Sequence, residues 1–372
     1  MNVIIIGPAH PLRGGLASYN ERLAKEFTTS GHTCRIITYS LQYPSFLFPG
    51  KTQYSDQQPP TGISIEVKIN SINPFNWFSV GKKIRKEKPD LLVFRYWMPF
   101  MAPAHGTIAR QVRKNKHTRI VAITDNIIPH EWFPFGRVMT KYFINSCNAF
   151  ITMSRSVLDD LLRIRKDAPA RFVPHPLYDN FGVAVTRGEA LKKLELDPAF
   201  RYILFFGFIR KYKGLELLLR AFADPRLKEK PVKLIIAGEY YEDAAPYKKV
   251  IAELGLADRL IEHNDFIPDD KVRYYFSACD LVAQTYLHAT QSGVTQVAYH
   301  FNKPMLVTDV GGLSEMVPHG KAGYVVKPDQ RSVADAFIEF YHSGEPEKFM
   351  NGLLEEKKKY AWKTMVNELI NI

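Results

Sequence analysis

Short apolar runs alternate with longer amphipathic stretches along the whole 372-residue chain, and they form two successive series. In the first series residues 3–6, 35–39, 91–94, 120–124 and 150–153 are largely apolar, the pattern of strands buried on both faces of a parallel sheet. Residues 63–67 alternate apolar and polar side chains and predict a half-exposed strand at an edge. Helical patterns at 16–30 (ended by Gly31), 78–88 (stopped before Pro89) and 108–116 lie between the runs. The second series has strands at 202–206, 233–237, 260–262, 281–283, 305–308 and 323–326. Its helices are at 215–222, 247–254, 270–278, 294–301 and 333–342. Parallel strands need crossovers, and the helices supply them, so each half predicts a doubly wound α/β sheet with right-handed connections. Sheets of this kind bind ligands at the carboxyl ends of their strands, here expected in a cleft between two facing halves.

The boundaries follow from the same pattern. Residues 1–176 form the first predicted domain and 189–345 the second, with 177–188 as a weakly patterned linker. The last stretch, 346–372, reads as a closing polar helix carrying Phe349, Leu353, Tyr360 and Leu369. Residues 41–62, rich in Pro, Gln and Ser, read as a long loop. An apolar content of 46% excludes a largely disordered chain. Cys34, Cys147 and Cys279 lie far apart without metal-ligand spacing, which fits a reducing compartment. The N-terminal apolar run is too short for a signal peptide, and no run nears the roughly 18 apolar residues of a membrane span. The expected location is cytoplasmic, free or peripheral to a membrane.

The net charge of +12 is unevenly placed. Residues 1–170 hold 23 basic and 11 acidic side chains, whereas residues 171–372 hold 27 of each. The excess gathers in 82–88 and 110–116, near Phe75, Trp77, Phe78, Trp97, Phe100 and Met101. Cations beside aromatics suit an anionic membrane surface, where each contributes about 1 kcal/mol. A solvated basic face is the plainer alternative. No nucleic-acid module accompanies the charge, so nucleic acid is not an expected partner.

Two glycine loops carry the chemistry. Gly7-Pro8-Ala9-His10-Pro11-Leu12-Arg13-Gly14-Gly15 leaves the first strand and opens the first helix. Gly14 and Gly15 let backbone approach a ligand at a helix N-terminus, although an ordinary strand–helix turn has the same look. The spacing is not G-x-G-x-x-G, so the dinucleotide fingerprint is missing. Gly207-Phe208-Ile209-Arg210-Lys211-Tyr212-Lys213-Gly214 occupies the same place in the second series. A guanidinium fork and an ammonium on one loop suit a diphosphate, which makes Arg210 and Lys213 the main candidates there.

These loops, together with Lys88-Pro89-Asp90, the run from Lys303 to Glu315 and Gly320…Gly323, resemble the retaining family 4 glycosyltransferases of GT-B fold. The resemblance covers nearly the whole chain. It implies a nucleotide sugar held mainly by the second domain, an acceptor held by the first, and Lys213 on the donor diphosphate. The family's arginine after the first glycine is replaced here by Phe208, and Arg210 stands two residues on. Gly207, Gly311, Gly312 and Glu315 match donor-binding positions. The family's two glutamates have no counterpart in 289–297: ungapped counting from Pro304 places them at Ala289 and Val297. A one-residue shift brings in Thr290 and Gln296, with Gln291 beside them. Gln296 would bind ribose hydroxyls through its amide and Thr290 or Gln291 the sugar, while a polar helix cap is the alternative. On the acceptor side Asp125 matches the aspartate of a His-Asp pair, Thr124 stands where the histidine would be, and His130 is the nearest imidazole. His175 is a further candidate at the domain junction.

The implied reaction moves a sugar from a nucleoside diphosphate to a hydroxyl of a lipid-linked or polysaccharide acceptor, with retention. Arg210 and Lys213 would stabilise the departing diphosphate, whose own oxygen would take the acceptor's proton. No Asp-x-Asp occurs, so neither a metal nor another cofactor is expected. Expected partners are the donor, a glycan or glycolipid acceptor, and the anionic inner face of a membrane. The missing glutamates leave two alternatives: a nucleotide-sugar-binding protein without transferase activity, or a GT-B sugar-nucleotide epimerase.

Overall fold

The computed structural model describes residues 1–44, 52–56, 58–128, 133, 135–289, 292–342 and 346–372. The chain divides into two compact units, Met1–Pro176 with Ala361–Ile372, and Leu177–Tyr360.

Unit 1 is built on seven strands: β1 (Asn2–Ile6), β2 (Thr33–Leu41), β3 (Ser64–Asn70), β4 (Leu91–Tyr96), β5 (Arg119–Thr124), β6 (Ala149–Thr152) and β7 (Ala170–Phe172). They pair in parallel in the order β3-β2-β1-β4-β5-β6-β7. The alternating segment is β3, at the edge as its pattern requires. The helices are α1 (Gly15–Thr29), α2 (Pro74–Glu87), α3 (Ala102–Arg113), α4 (Gly136–Ile144) and α5 (Arg155–Ile164). Alternate strand residues Ile4, Ile6, Leu92, Phe94, Ile120 and Ala122 bury one face of the sheet against α2, α3, α4 and α5. Their sequence neighbours, such as Val3, Ile5, Leu91 and Val93, are equally buried on the other face.

Unit 2 opens with α6 (Arg187–Lys193), whose N-terminus is closed by a reciprocal Thr186–Glu189 capping box. Six parallel strands follow: β8 (Arg201–Phe206), β9 (Val232–Ala237), β10 (Leu260–His263), β11 (Leu281–Gln284), β12 (Met305–Thr308) and β13 (Gly323–Val326). Their order is β10-β9-β8-β11-β12-β13. The connecting helices are α7 (Leu215–Phe222), α8 (Pro225–Lys228), α9 (Ala245–Glu253), α10 (Asp269–Ala278), α11 (Gly293–His300), α12 (Leu313–Met316) and α13 (Gln330–His342). All six expected strands are present.

The single closing helix expected over 346–372 is corrected. The segment forms α14 (Pro346–Lys357) in unit 2, a tight turn at Lys358–Tyr360, and α15 (Trp362–Asn371) in unit 1. The break has a packing cause. Trp362 is buried with its ring 4.9 Å from Tyr19 of α1, and Arg119 donates to the carbonyls of Leu369 and Ile370 at the end of α15. Tyr360 is buried within unit 2, where its hydroxyl donates to Met316 O at 3.2 Å, and Trp362 begins the stretch that packs in unit 1.

Candidate functional site

In each sheet the strand order reverses beside the first strand of the unit, between β8 and β11 in unit 2 and between β1 and β4 in unit 1. These switch points are where open α/β sheets receive ligands. Both glycine loops lead out of them.

In unit 2, Gly207 follows β8 with φ +93°, and a Cβ there would lie 3.2 Å from Lys213 Nζ. Gly214 has φ +66°, and its Cβ would sit 1.9 Å from the Thr285 carbonyl oxygen. Only glycine allows that approach, because both the left-handed backbone and the contact exclude a side chain. Thr285 Oγ1 donates to Gly214 O at 2.9 Å and Leu287 N to Tyr212 O at 2.6 Å, so the loop is laced to the segment beyond β11. The lacing holds Lys213 in place, 8% exposed, with its ammonium 5.8 Å from the Tyr286 ring centre. Burial first, and the charge of Arg210 second, push the lysine down to about 7. A desolvated ammonium of this kind is poised for an anion.

The other expected donor residues are less uniform. Gln296 is fully buried in α11, and neither of its amide atoms has a hydrogen-bond partner among the described residues. Its neighbour Thr295 donates instead to Gln284 Oε1 at 3.1 Å. Ser292 makes no side-chain cap on α11; its hydroxyl lies 3.2 Å from Tyr286 OH. Thr290 and Gln291 lie outside the described residues. The Gly312 amide reaches Ala289 O at 3.4 Å, which brings the turn at Gly311 and Gly312 beside the entry to α11. Glu315 is exposed on the short α12.

In unit 1 a Cβ on Gly7 would meet Asn20 Nδ2 at 2.5 Å and Arg95 Cβ at 2.9 Å. Gly14 precedes α1 with φ +106°, its carbonyl accepting from Ala17 N and Ser18 N, and Gly15 is the first helical residue. Asp125, expected to face a ligand, is engaged in a buried ion pair. Arg95 Nε donates to its Oδ2 at 2.6 Å and Nη2 to Oδ1 at 2.5 Å. Arg95 is 1% exposed and lies 3.7 Å over the Tyr19 ring, which in turn stands edge-on to His175 at 5.0 Å. His175 Nδ1 donates to Pro176 O at 2.7 Å, and burial holds the ring neutral, down to about 3. His130 lies outside the described residues. Sequence reasoning missed Arg95; the signal was one cation closing an otherwise apolar strand.

The charge asymmetry also has a location. Helices α2, α3 and α4, packed side by side, carry eight basic residues and one acidic, Glu87. Helices α1 and α15, packed on each other, carry three of each sign. Phe75 and Phe78 on α2 are 86% and 52% exposed, and Val138 on α4 is 70% exposed. The expected aromatic company is smaller than the sequence implied: Met101 is buried, and Trp97 and Phe100 pack against the core. A depression of about 490 Å³ at the ends of α3, α4 and α5 is lined by Arg113, Asn145 and Arg165, but both arginines there already bond helix-end carbonyls. Among the described residues no cluster of His, Cys, Asp or Glu could hold a metal ion, and no helix is long and apolar enough to cross a membrane.

A family model for glycosyl transferases group 1 matches residues 200–343, and one for glycosyltransferase family 4 matches residues 13–178. The chain belongs to the group 1, family 4 glycosyltransferases. Among its relatives, the lipopolysaccharide core biosynthesis mannosyltransferase LpsB of Rhizobium meliloti is 28% identical over 248 residues, 60% of this chain and 64% of LpsB. The D-rhamnosyltransferase WbpZ of Pseudomonas aeruginosa is 25% identical over 264 residues, 68% of this chain and 64% of WbpZ. The chain thus spans just under two thirds of the length of either. The crystal structure of Anabaena HepE in complex with UDP and glucose superposes with a TM-score of 0.74 at 16% identity, covering 100% of both chains. The fold is GT-B, two Rossmann-like α/β units.

Proposed function

We propose that this glycosyltransferase moves a sugar from a nucleoside-diphosphate sugar to a hydroxyl of a lipid-linked or polysaccharide acceptor, with retention of anomeric configuration. The observation that carries the reading is Lys213: a buried ammonium beside Gly207, at the switch point of the unit 2 sheet. As the glycosidic bond breaks, negative charge grows on the diphosphate, and Lys213 with Arg210 stabilises it without reorganising. These two cations supply there the charge that a bound metal would otherwise bring. Asp125 is committed to Arg95, which favours the departing phosphate oxygen over a protein carboxylate as acceptor of the hydroxyl proton. The mannosyl- and rhamnosyltransferase names of LpsB and WbpZ support a sugar donor, and the UDP bound to HepE supports a nucleotide one.

The acceptor side points to a lipid surface. The basic α2–α4 layer with exposed Phe75, Phe78 and Val138 complements anionic headgroups, and we assign it as the face that meets the inner leaflet. The test of the function is a thermal-shift panel of nucleotide sugars, followed by measurement of nucleoside diphosphate release with and without glycolipid acceptor. The reading requires at least one stabilising donor whose turnover depends on acceptor and is lost in Lys213→Met. Turnover of donor to an isomer without any acceptor would identify an epimerase instead.

A further inference from the structure

The Gly207 loop carries Phe208 and then Arg210, and both side chains lie against the ring of Tyr241. Beyond the end of β8 the chain stays extended: Ile209 N donates to Glu239 O at 2.8 Å, and Tyr241 N donates to Ile209 O at 3.0 Å. The β8–β9 pairing therefore continues past the carboxyl edge of the sheet, with Ile209 bridged to Tyr240. Extended backbone alternates its side chains, so Ile209 turns into the core, fully buried, while Phe208 and Arg210 share the other side. Tyr241, on the neighbouring strand extension, reaches both of them. Its ring stacks on Phe208 at 4.1 Å between centroids with the planes 30° apart, and the Arg210 guanidinium lies 5.3 Å from its centre. Phe266, from the segment after β10, stacks behind Phe208 at 6.1 Å. The result is a ladder of four half-buried side chains, Phe266, Phe208, Tyr241 and Arg210, drawn from three neighbouring strand ends.

We propose that Tyr241, braced by Phe208 and Phe266, is a positioning residue that fixes the Arg210 guanidinium on the diphosphate side of the site. An arginine side chain on a surface loop loses considerable rotamer freedom when it is held, and a ring face lowers that loss by restricting it before the ligand arrives. The same arrangement explains why an aromatic residue follows Gly207: Phe208 holds the ring that holds the cation. The inference rests on the donor-site reading above and adds Tyr241, Phe208 and Phe266 to it.

The test measures binding of inorganic pyrophosphate, a probe without base or sugar, by isothermal titration. The variants are Arg210→Ala, Tyr241→Leu, Tyr241→Phe and the double variant Arg210→Ala/Tyr241→Leu. Leucine keeps apolar bulk on the strand and removes the ring; phenylalanine keeps the ring. Tyr241→Leu is expected to weaken pyrophosphate binding about fivefold and Tyr241→Phe less than twofold. The double variant is expected to bind as Arg210→Ala alone does, because the ring acts only through the guanidinium. Wild-type affinity in Tyr241→Leu would overturn the proposal, as would losses that add in the double variant. If the wild-type protein itself binds no pyrophosphate, the donor-site reading falls and takes the ladder's role with it. Intact wild-type binding with an unaffected Tyr241→Leu removes the ladder alone.

Discussion

If Lys213 holds the donor diphosphate as proposed, donor binding is expected to depend on pH. In the free protein its ammonium is held down to about 7, chiefly by burial. A diphosphate needs it charged, so binding above pH 7 must draw a proton from solution. The affinity then scales with the fraction of lysine already protonated, and falls about tenfold, or about 1.4 kcal/mol, per pH unit above 7. Between pH 7.5 and 9 the expected loss is about 25-fold. The second ionisation of a phosphate lies near 6, so the ligand's own charge is constant over that interval. Stability changes in the opposite sense. An unfolded lysine ionises near 10.5, so the unfolded chain binds the extra proton between 7 and 10.5, and the free protein gains stability as pH rises through that window. Titration calorimetry with whichever of UDP, GDP or ADP binds tightest reports both the affinity and the proton uptake, the latter from buffers of different ionisation enthalpy. Uptake should approach one proton per nucleotide at pH 8.5 and vanish in Lys213→Met, which should bind weakly at every pH. Equal affinity at pH 7.5 and 9, or a slope that survives in Lys213→Met, would refute the reasoning.

Three further outcomes follow from the same geometry. Gly214→Ala places a Cβ 1.9 Å from the Thr285 carbonyl at φ +66°, which should cost about 2–4 kcal/mol and lower the melting temperature by several degrees; an unchanged melting curve would show that the loop moves freely. Asp125→Asn leaves the buried Arg95 guanidinium without its counter-charge and should cost about 3–5 kcal/mol, whereas replacing both residues by leucine should cost less than the two single changes together, as equilibrium unfolding in urea would reveal. Replacing Lys82, Lys83 and Lys86 by glutamine removes three exposed charges from α2 and should weaken binding to phosphatidylserine-containing vesicles by about 3 kcal/mol at low salt; flotation assays that find equal binding would dismiss the membrane face.

Much of the fold was legible because parallel strands buried on both faces write themselves as uninterrupted apolar runs, as in Ile203–Phe205 or Leu92–Phe94. The short β7, three partly exposed residues at the end of the sheet, leaves no such trace. Helices α4 and α5 were also missed, α4 because exposed Val138 and Tyr142 blur its apolar stripe. The break between α14 and α15 carries no glycine or proline signal; Tyr360 packs in unit 2 and Trp362 in unit 1. Within the proposed site, Gly207, Lys213 and Gly214 were legible as candidates because a left-handed turn favours glycine and the cations of the loop stand out after an apolar strand. Arg95 was not, since its partner Asp125 lies 30 residues away in sequence and only the pairing of β4 with β5 brings them together. Tyr241 was missed for the same reason: its ring meets Arg210 only through the β8–β9 pairing.

The most direct test of the account is the anomeric outcome of a single turnover. The stabilising nucleotide sugar is incubated with protein and glycolipid acceptor, and the new linkage is read by proton NMR. The account predicts release of nucleoside diphosphate and a product linkage with the anomeric configuration of the donor. A linkage of the opposite configuration, or tight donor binding with no diphosphate released for any acceptor, would contradict it.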